Sequence, residues 1–278
     1  MKLAVISDMH GNLPALQATL AHVDRWKPDI TVVNGDVVNR GPRPRECWEL
    51  VSDRSRADGW RIVSGNHEEY VSNSADEQRE LKRTRLEIYR SAYWTYLQMN
   101  GLVSEIRKLP AYVELNGPDG STVRLTHASM RANDDGIYPQ TADEELAKQI
   151  APAPDVFCTA HTHRPLVRWL DGTLVVNSGS AGTAFDGDPR ISYAQISWRQ
   201  RLWSADIVRV AYDRAQASRD FEESGYRRSA GPLVDIFYQE WLLARPMVNR
   251  WAARYQRAVL TGDLDLRDSV DAFLQSVL

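Results

Sequence analysis

Asp8-Met9-His10, Gly35-Asp36, Gly65-Asn66-His67-Glu68, Thr126-His127 and His161-Thr162-His163 hold five of the six histidines of this 278-residue chain. Their carboxylate, amide and imidazole groups are ligand types for divalent cations, and together they are enough for two ions. Asp8 and His10 alternate across one backbone turn, so an oxygen and a ring nitrogen can meet the same cation. Gly35 lets the chain turn tightly before Asp36, whose carboxylate can bridge two cations. His161 and His163, two residues apart, can face two neighbouring ions. Each segment alone has a plain structural use, as a capping acid or a core histidine; all of them together do not. Only His22, within a predicted helix, stands outside the motifs.

The elements around the motifs explain how they could meet. Leu3–Ser7 is a short apolar, partly β-branched run and reads as a buried strand. Leu13, Leu16, Leu20 and Val23 recur at helical spacing, and that helix ends before Pro28. Ile30–Asn34 is a second strand, Arg43–Ala57 holds a helix, and Arg61–Ser64 is a third strand. This order predicts an α/β core with parallel strands and right-handed crossovers. Asp8, Asp36 and Asn66 then follow the carboxyl ends of successive strands, where open α/β sheets bind ligands.

Residues 74–109 form a charged helical insert, with Arg79, Lys82, Arg83 and Arg85 beside Tyr89, Tyr93, Trp94 and Tyr96. These aromatics either receive a nucleobase by stacking or bury the helix on the core. Beyond the insert, strands are predicted at 111–115, 122–126, 156–159, 166–170, 173–177, 191–198 and 202–210, with a helix near 142–150. From Asp213 the chain reads as helical to residue 278, so the expected division is a catalytic domain over 1–212 and a helical extension over 213–278. The extension's tryptophans fit a packed cap or a homodimer surface.

The series Asp-x-His, Gly-Asp, Gly-Asn-His-Glu, His, His-x-His resembles the calcineurin-like metallophosphoesterase superfamily over roughly residues 1–210, and Asn177–Gly182 with Asp186–Arg190 is similar to a loop of its phosphodiesterase-like bacterial and archaeal branch. The resemblance implies a four-layer α-β-β-α sandwich of two mixed sheets with a two-metal site at one edge. It implies that Asp8, His10 and His163 hold one ion, that Asn66, His127 and His161 hold the other, and that Asp36 bridges them. Ligands of oxygen and nitrogen without thiolate suit Mn, Fe or Zn. By the same resemblance His67 is the general acid at the leaving group.

Arg40, in Gly35-Asp36-Val37-Val38-Asn39-Arg40-Gly41-Pro42, can reach phosphate with its planar fork of donors. That segment is similar to the Gly-Asp-x-x-Asp-Arg-Gly of protein phosphatases and symmetrical dinucleoside tetraphosphatases, but Asn39 stands where the family has an Asp that would orient the catalytic His. Arg131 is a second candidate phosphate contact. The glycine-rich run Asn177–Gly182 either turns its backbone N–H groups toward phosphate or is a tight turn between strands.

A net charge of −3 gives no general attraction to nucleic acid or membrane, so an anionic substrate must be drawn locally by metals and a few arginines. No stretch approaches the roughly 20 apolar residues of a membrane span. Cys47 and Cys158 have no paired framework and read as free thiols of a reducing, cytoplasmic compartment. The expected activity is hydrolysis of small phosphodiester, nucleotide or dinucleoside polyphosphate substrates. The competing readings are a phosphoprotein phosphatase and a non-catalytic interaction scaffold on the same fold.

Overall fold

In the computed structural model, which describes residues 1–80 and 87–277 with the side chains of 75–80 excepted, ten strands form two five-stranded sheets. The first sheet has the order β10-β9-β1-β2-β3, with β1 Lys2–Ile6, β2 Ile30–Asn34, β3 Arg61–Val63, β9 Ile191–Arg199 and β10 Leu202–Val210. β1, β2 and β3 run parallel, joined by helices α1 (Leu13–Trp26) and α2 (Pro44–Asp58), while β9 and β10 pair antiparallel. The second sheet has the order β4-β5-β6-β8-β7, from Tyr112–Asn116, Thr122–Thr126, Val156–Thr159, Thr173–Asn177 and Leu166–Leu170. Parallel and antiparallel pairs occur in both sheets.

Side-chain alternation along the strands sorts the core into layers. Leu3 and Val5 of β1 face the second sheet and pack with Val32, Val123, Leu125, Val156 and Val176. Ala4 and Ile6 face the other way, against Leu16 and Leu20 of α1 and Trp48 of α2. On the far side of the second sheet, Phe157 and Val175 meet Leu146 of helix α6 (Asp143–Gln149). The result is the expected four-layer sandwich. Since both faces of the central strands are covered, β1 is apolar and buried from Leu3 to Ile6 and shows no in-out polarity there.

The insert starts earlier than its composition suggested: helix α3 spans Asn66–Glu80, so Asn66 opens a helix directly after β3. Two helices, α4 (Arg90–Met99) and α5 (Val103–Ile106), return the chain to β4. Lys82, Arg83, Arg85 and the side chain of Arg79 lie outside the described residues. From Arg214 the chain is helical, including Leu233–Leu243, Val248–Trp251, a π-helical turn Ala252–Gln256 and Leu266–Val277. Trp251 is buried within this extension against Leu233, Met247 and Phe273. Trp241 packs with Phe221, Tyr226 and the insert's Trp94. Both tryptophans therefore serve packing and not an outward dimer surface. Among the described residues no helix is long and apolar enough to cross a membrane, and Cys47 and Cys158 are buried free thiols.

Candidate metal centre

Glu68 joins two of the ligand-bearing loops. Its carboxylate is fully buried and accepts four backbone N–H groups: Oε2 from Asp36 (2.7 Å) and Gly65 (2.9 Å), Oε1 from Val37 (2.9 Å) and Val38 (3.2 Å). Burial and the Asp36 charge push Glu68 up to about 7, against the pull of those donors. Only the carboxylate form satisfies all four donors at once. The neighbouring Gly65 permits the close approach, since a Cβ there would lie 2.2 Å from Asp36 Oδ1.

Asp36 is thereby set at the centre of two groups of ligand atoms, Asp8, His10, Asp36 and His163 on one side and Asp36, His127 and His161 on the other. Asn66 joins the second group, its Oδ1 lying 3.1 Å from His127 Nε2 and 3.0 Å from His161 Nδ1. In the first group His10 Nε2 and His163 Nε2 are 3.1 Å apart, and His163 Nε2 is 3.3 Å from Asp8 Oδ1. Metal–nitrogen bonds of about 2.1 Å give ligand–ligand edges of roughly 3.0–3.4 Å in octahedral or tetrahedral coordination, so the spacing fits a cation. Asp8 Oδ1 is buried with no hydrogen-bond partner, the state of an oxygen reserved for such an ion. All seven residues named from the sequence thus meet in one place and could hold divalent metal.

Electrostatics agree with a site built for positive charge. Burial alone would raise Asp36, yet the charge and hydrogen bond of the His127 imidazolium hold its carboxyl well below the usual range. Burial opposes charge on His127 as well, but Asp36, Asp8 and the Asn34 carbonyl outweigh it and lift the imidazole to about 10. Its Nδ1 donates to Asn34 O at 2.8 Å, which leaves Nε2 for the metal. Burial keeps His10 and His161 neutral, His161 at about 4.

The backbone is held in costly conformations here. Among the described non-glycine residues with positive φ are Asp8 (54°), His10 (48°), Asp36 (56°), Asn39 (66°), Arg40 (61°), His161 (65°) and His163 (54°). Each left-handed residue of this kind costs on the order of 1 kcal/mol or more and persists only where its surroundings hold it. The run Asn177–Gly182 is one such restraint. Its N–H groups are spent internally, Gly179 on Asn177 Oδ1, Ser180 on Ser192 Oγ, Ala181 on Ser7 O and Gly182 on Ser180 Oγ. They do not face a phosphate, so the turn alternative is the correct one. Ser180 Oγ donates to Asp8 O at 2.8 Å, and a Cβ on Gly182 would collide with Met9 O at 1.9 Å.

A cavity of about 650 Å³ opens over the ligands, walled by the insert and by the helical extension. His67 lines it, and Asn39 Nδ2 donates to His67 Nδ1 at 2.8 Å. The amide orientation follows from its other side, where Asn39 Oδ1 accepts from the Arg40 N–H (2.8 Å) and from Ser91 Oγ (3.1 Å). Ser91 Oγ lies 2.6 Å from the buried Tyr226 hydroxyl of the extension. The chain Tyr226–Ser91–Asn39–His67 places the ring proton of neutral His67 on Nε2. Burial, Arg40, His161 and His127 together bring its pKa to about 3, against the pull of Asp36. His67 is therefore a neutral hydrogen-bond donor at pH 7.

Arg40 also lines the cavity, with its guanidinium 2.5 Å from Glu240 Oε2 and over the Phe237 ring at 4.5 Å. Glu240 is buried, and its other oxygen accepts from the N–H groups of Met247 (2.5 Å) and Val248 (2.7 Å). Arg131 is not brought to the site. Its exposed guanidinium pairs with Asp135 (2.7 Å) and Glu145 (2.7 Å), which removes it as a phosphate contact. Of the insert's aromatics Tyr89 lines the cavity, together with Tyr70, while Trp94 is buried and Tyr93 stacks with Tyr96. Glu240, Ser91 and Tyr226 were not foreseen from the sequence. Glu240 had a faint signal, a carboxylate in the otherwise apolar run Trp241-Leu242-Leu243 and Ile236-Phe237.

Replacing Glu68 with Gln puts an NH₂ against backbone N–H donors. This is expected to cost about 2 kcal/mol, a fall of about 5 °C in Tm, and to lower metal content measured by elemental analysis. Unchanged metal content would remove Glu68 from this role. His127 must lose its proton to ligate, so metal uptake at pH 7 should release about one proton and strengthen as pH rises toward 10. Titration calorimetry in two buffers of different ionisation enthalpy measures this, and equal enthalpies in both would contradict it.

A family model for the calcineurin-like phosphoesterase superfamily domain matches residues 1–201. A metallophosphoesterase from Sphaerobacter thermophilus superposes with a TM-score of 0.67 at 27% identity, over 88% of this chain and 99% of that one. A hypothetical protein from Pyrococcus horikoshii OT3 shares the fold with a TM-score of 0.71 at 17% identity, over 84% and 97% of the two chains. An uncharacterized protein of Methanocaldococcus jannaschii is 28% identical over 229 residues, 76% of this chain and 88% of that one. The chain belongs to the calcineurin-like phosphoesterase superfamily and is a metal-dependent phosphate ester hydrolase.

Proposed function

We propose that the protein is a two-metal phosphoesterase acting on small phosphodiester, nucleotide or dinucleoside polyphosphate substrates, fastest where the leaving group is a phosphate or a phenolate. The observation that carries this reading is the Asn39–His67 hydrogen bond at the floor of a walled cavity. Asp8, His10, Asp36 and His163 on one side, and Asp36, Asn66, His127 and His161 on the other, would hold divalent ions of the Mn, Fe or Zn type, which would supply charge neutralisation and acidify water. Arg40, steadied by Glu240 and Phe237, offers its remaining N–H groups to a phosphate oxygen. His67 offers Nε2–H to the leaving oxygen. With Nδ1 turned to an amide N–H, it donates a hydrogen bond without readily surrendering a proton.

That difference bears on the alternatives. A serine or threonine alkoxide leaves poorly unless it is protonated, whereas a phosphate or phenolate does not need the proton. Insert and extension also wall the cavity, through Tyr70, Tyr89 and Ser91 on one part and Phe237, Val248 and Trp251 on another. Both points favour a small-molecule substrate over a phosphoprotein. A non-catalytic scaffold has no use for the full ligand set or for the strained residues that hold it.

With Mn²⁺ added, bis-p-nitrophenyl phosphate is expected to be hydrolysed faster than p-nitrophenyl phosphate; the reverse preference would overturn the diesterase reading. Asp36→Asn and His161→Ala are expected to lose both metal and rate, whereas Arg40→Ala keeps the metal and loses about a hundredfold in kcat. Across a series of aryl phosphodiesters, kcat/KM should fall steeply as the phenol becomes less acidic, and Asn39→Asp should flatten that slope. A wild-type slope already as shallow as the variant's would show that His67 transfers its proton after all.

A further inference from the structure

Beside the catalytic cavity lies an open groove of about 620 Å³. The two share Arg164, Phe185, Pro246 and Arg250, so they form one continuous surface. The groove carries three guanidinium groups, those of Arg164, Arg245 and Arg250, and a single carboxylate among its lining, Asp186. Asp186 is already engaged by Arg209. Among the described residues no ion pair joins a carboxylate to any of the three arginines, although the chain as a whole holds more acidic than basic residues. Arg164 donates its Nε to Phe185 O at 3.3 Å, and Phe185 stacks on the ring of His163 at 4.3 Å, which ties this guanidinium to the metal centre.

The other two arginines sit on a restrained piece of backbone. Ala244 ends the Leu233–Leu243 helix in a left-handed conformation (φ 51°), and its carbonyl accepts from the Gly187 N–H at 3.0 Å across the groove. Arg245 N–H returns to Glu240 O at 3.2 Å, and Glu240 Oε1 holds the N–H groups of Met247 and Val248. The segment is thus pinned from both sides while its side chains stay exposed to solvent. A concentration of unpaired guanidinium groups in a concave wall focuses a positive potential and matches phosphate oxygens with paired donors.

We infer that this groove is a second anion subsite, which takes a further phosphate group of the substrate while the scissile phosphate lies over the metal ligands. The substrate class is then a phosphate ester carrying a second phosphate, with its organic part against the apolar wall of Phe237, Ile88 and Val248. Arg245 and Arg250 lie in the helical extension, outside residues 1–201 of the family match, so the subsite is an addition to the common catalytic core. The inference rests on the proposed phosphoesterase reading for which phosphate is cleaved, but not for which group the arginines bind.

The test compares binding of adenosine 5′-monophosphate and adenosine 3′,5′-bisphosphate by titration calorimetry, on metal-loaded wild type and on Arg245→Ala/Arg250→Ala at one ionic strength. Wild type is expected to bind the bisphosphate about tenfold more tightly, and the double variant to lose that preference. Arg245→Ala alone, an exposed substitution outside the catalytic cavity, should lose part of it. Equal affinities in wild type, or a preference that survives both substitutions, would overturn the subsite. Hydrolysis of bis-p-nitrophenyl phosphate by wild type is followed separately. Its absence would overturn the diesterase reading, and the binding comparison would still decide the subsite.

Discussion

The candidate metal centre depends on one buried carboxylate that need not touch a metal. Glu68 gathers the N–H groups of Asp36, Val37, Val38 and Gly65, and so fixes the loop after β2 against the start of α3. A carboxylate is the one side chain with enough acceptor capacity for that task in the absence of water. The arrangement brings two negative charges, Glu68 and Asp36, close together in a dry interior, which is unfavourable until positive charge arrives. Imidazolium at His127 partly supplies it, and divalent cations would supply more. Loop geometry and metal affinity are in this sense a single electrostatic problem, solved around Glu68.

The same loops explain why the left-handed residues cluster. At the carboxyl end of a buried parallel strand the chain must reverse within two or three residues while aiming a side chain back over the sheet edge. Asp8, Asp36, His161 and His163 do so with positive φ, against their intrinsic preference. Ser180, Ser178 and Asn177 hold the turns by bonding to Asp8, Ser7 and Ala160. The glycine-rich loop, which by its sequence could be a phosphate cradle or a tight turn, is here a brace, because its backbone N–H groups from Ser178 to Gly182 are already committed. Rigidity is what the chemistry asks of it, since ligand atoms a few tenths of an ångström out of place bind metal less well.

Much of this was legible in the sequence, and the boundary has physical causes. Strands such as Ile30–Asn34 and Thr173–Asn177 are short apolar runs bounded by polar turns, and the seven candidate ligands carry their chemistry in their residue types. Contacts between distant segments left no such mark. Arg131 has the same side chain as Arg40, and only the fold shows that one is spent on Asp135 and Glu145 while the other enters the cavity. Asn39 was visible as a departure from the family pattern. Its consequence was not, because the proton position on His67 depends on Ser91 and Tyr226, 52 and 135 residues from their partners. The helix that opens at Asn66 was hidden for a related reason: Asn66 is both a candidate ligand and the first residue of that helix, and the polar residues there mask its periodicity.

The division of labour between core and extension follows from what each must conserve physically. The two-sheet core fixes the candidate ligand loops and can tolerate little change, since Glu68, Gly65 and Gly182 leave no spare volume. The helical extension touches the chemistry at few points, through Glu240 to Arg40 and through Tyr226 to Ser91. Its own cores, built on Trp251, Phe273, Trp241 and Phe221, keep those two points in register while leaving the outer wall free to vary. A wall supplied by a separate packing unit can change its charge, as at Arg245 and Arg250, without disturbing a single ligand. Selection among phosphate esters is then set by residues that carry none of the strain of the metal site, which is why the catalytic motifs alone do not name the substrate.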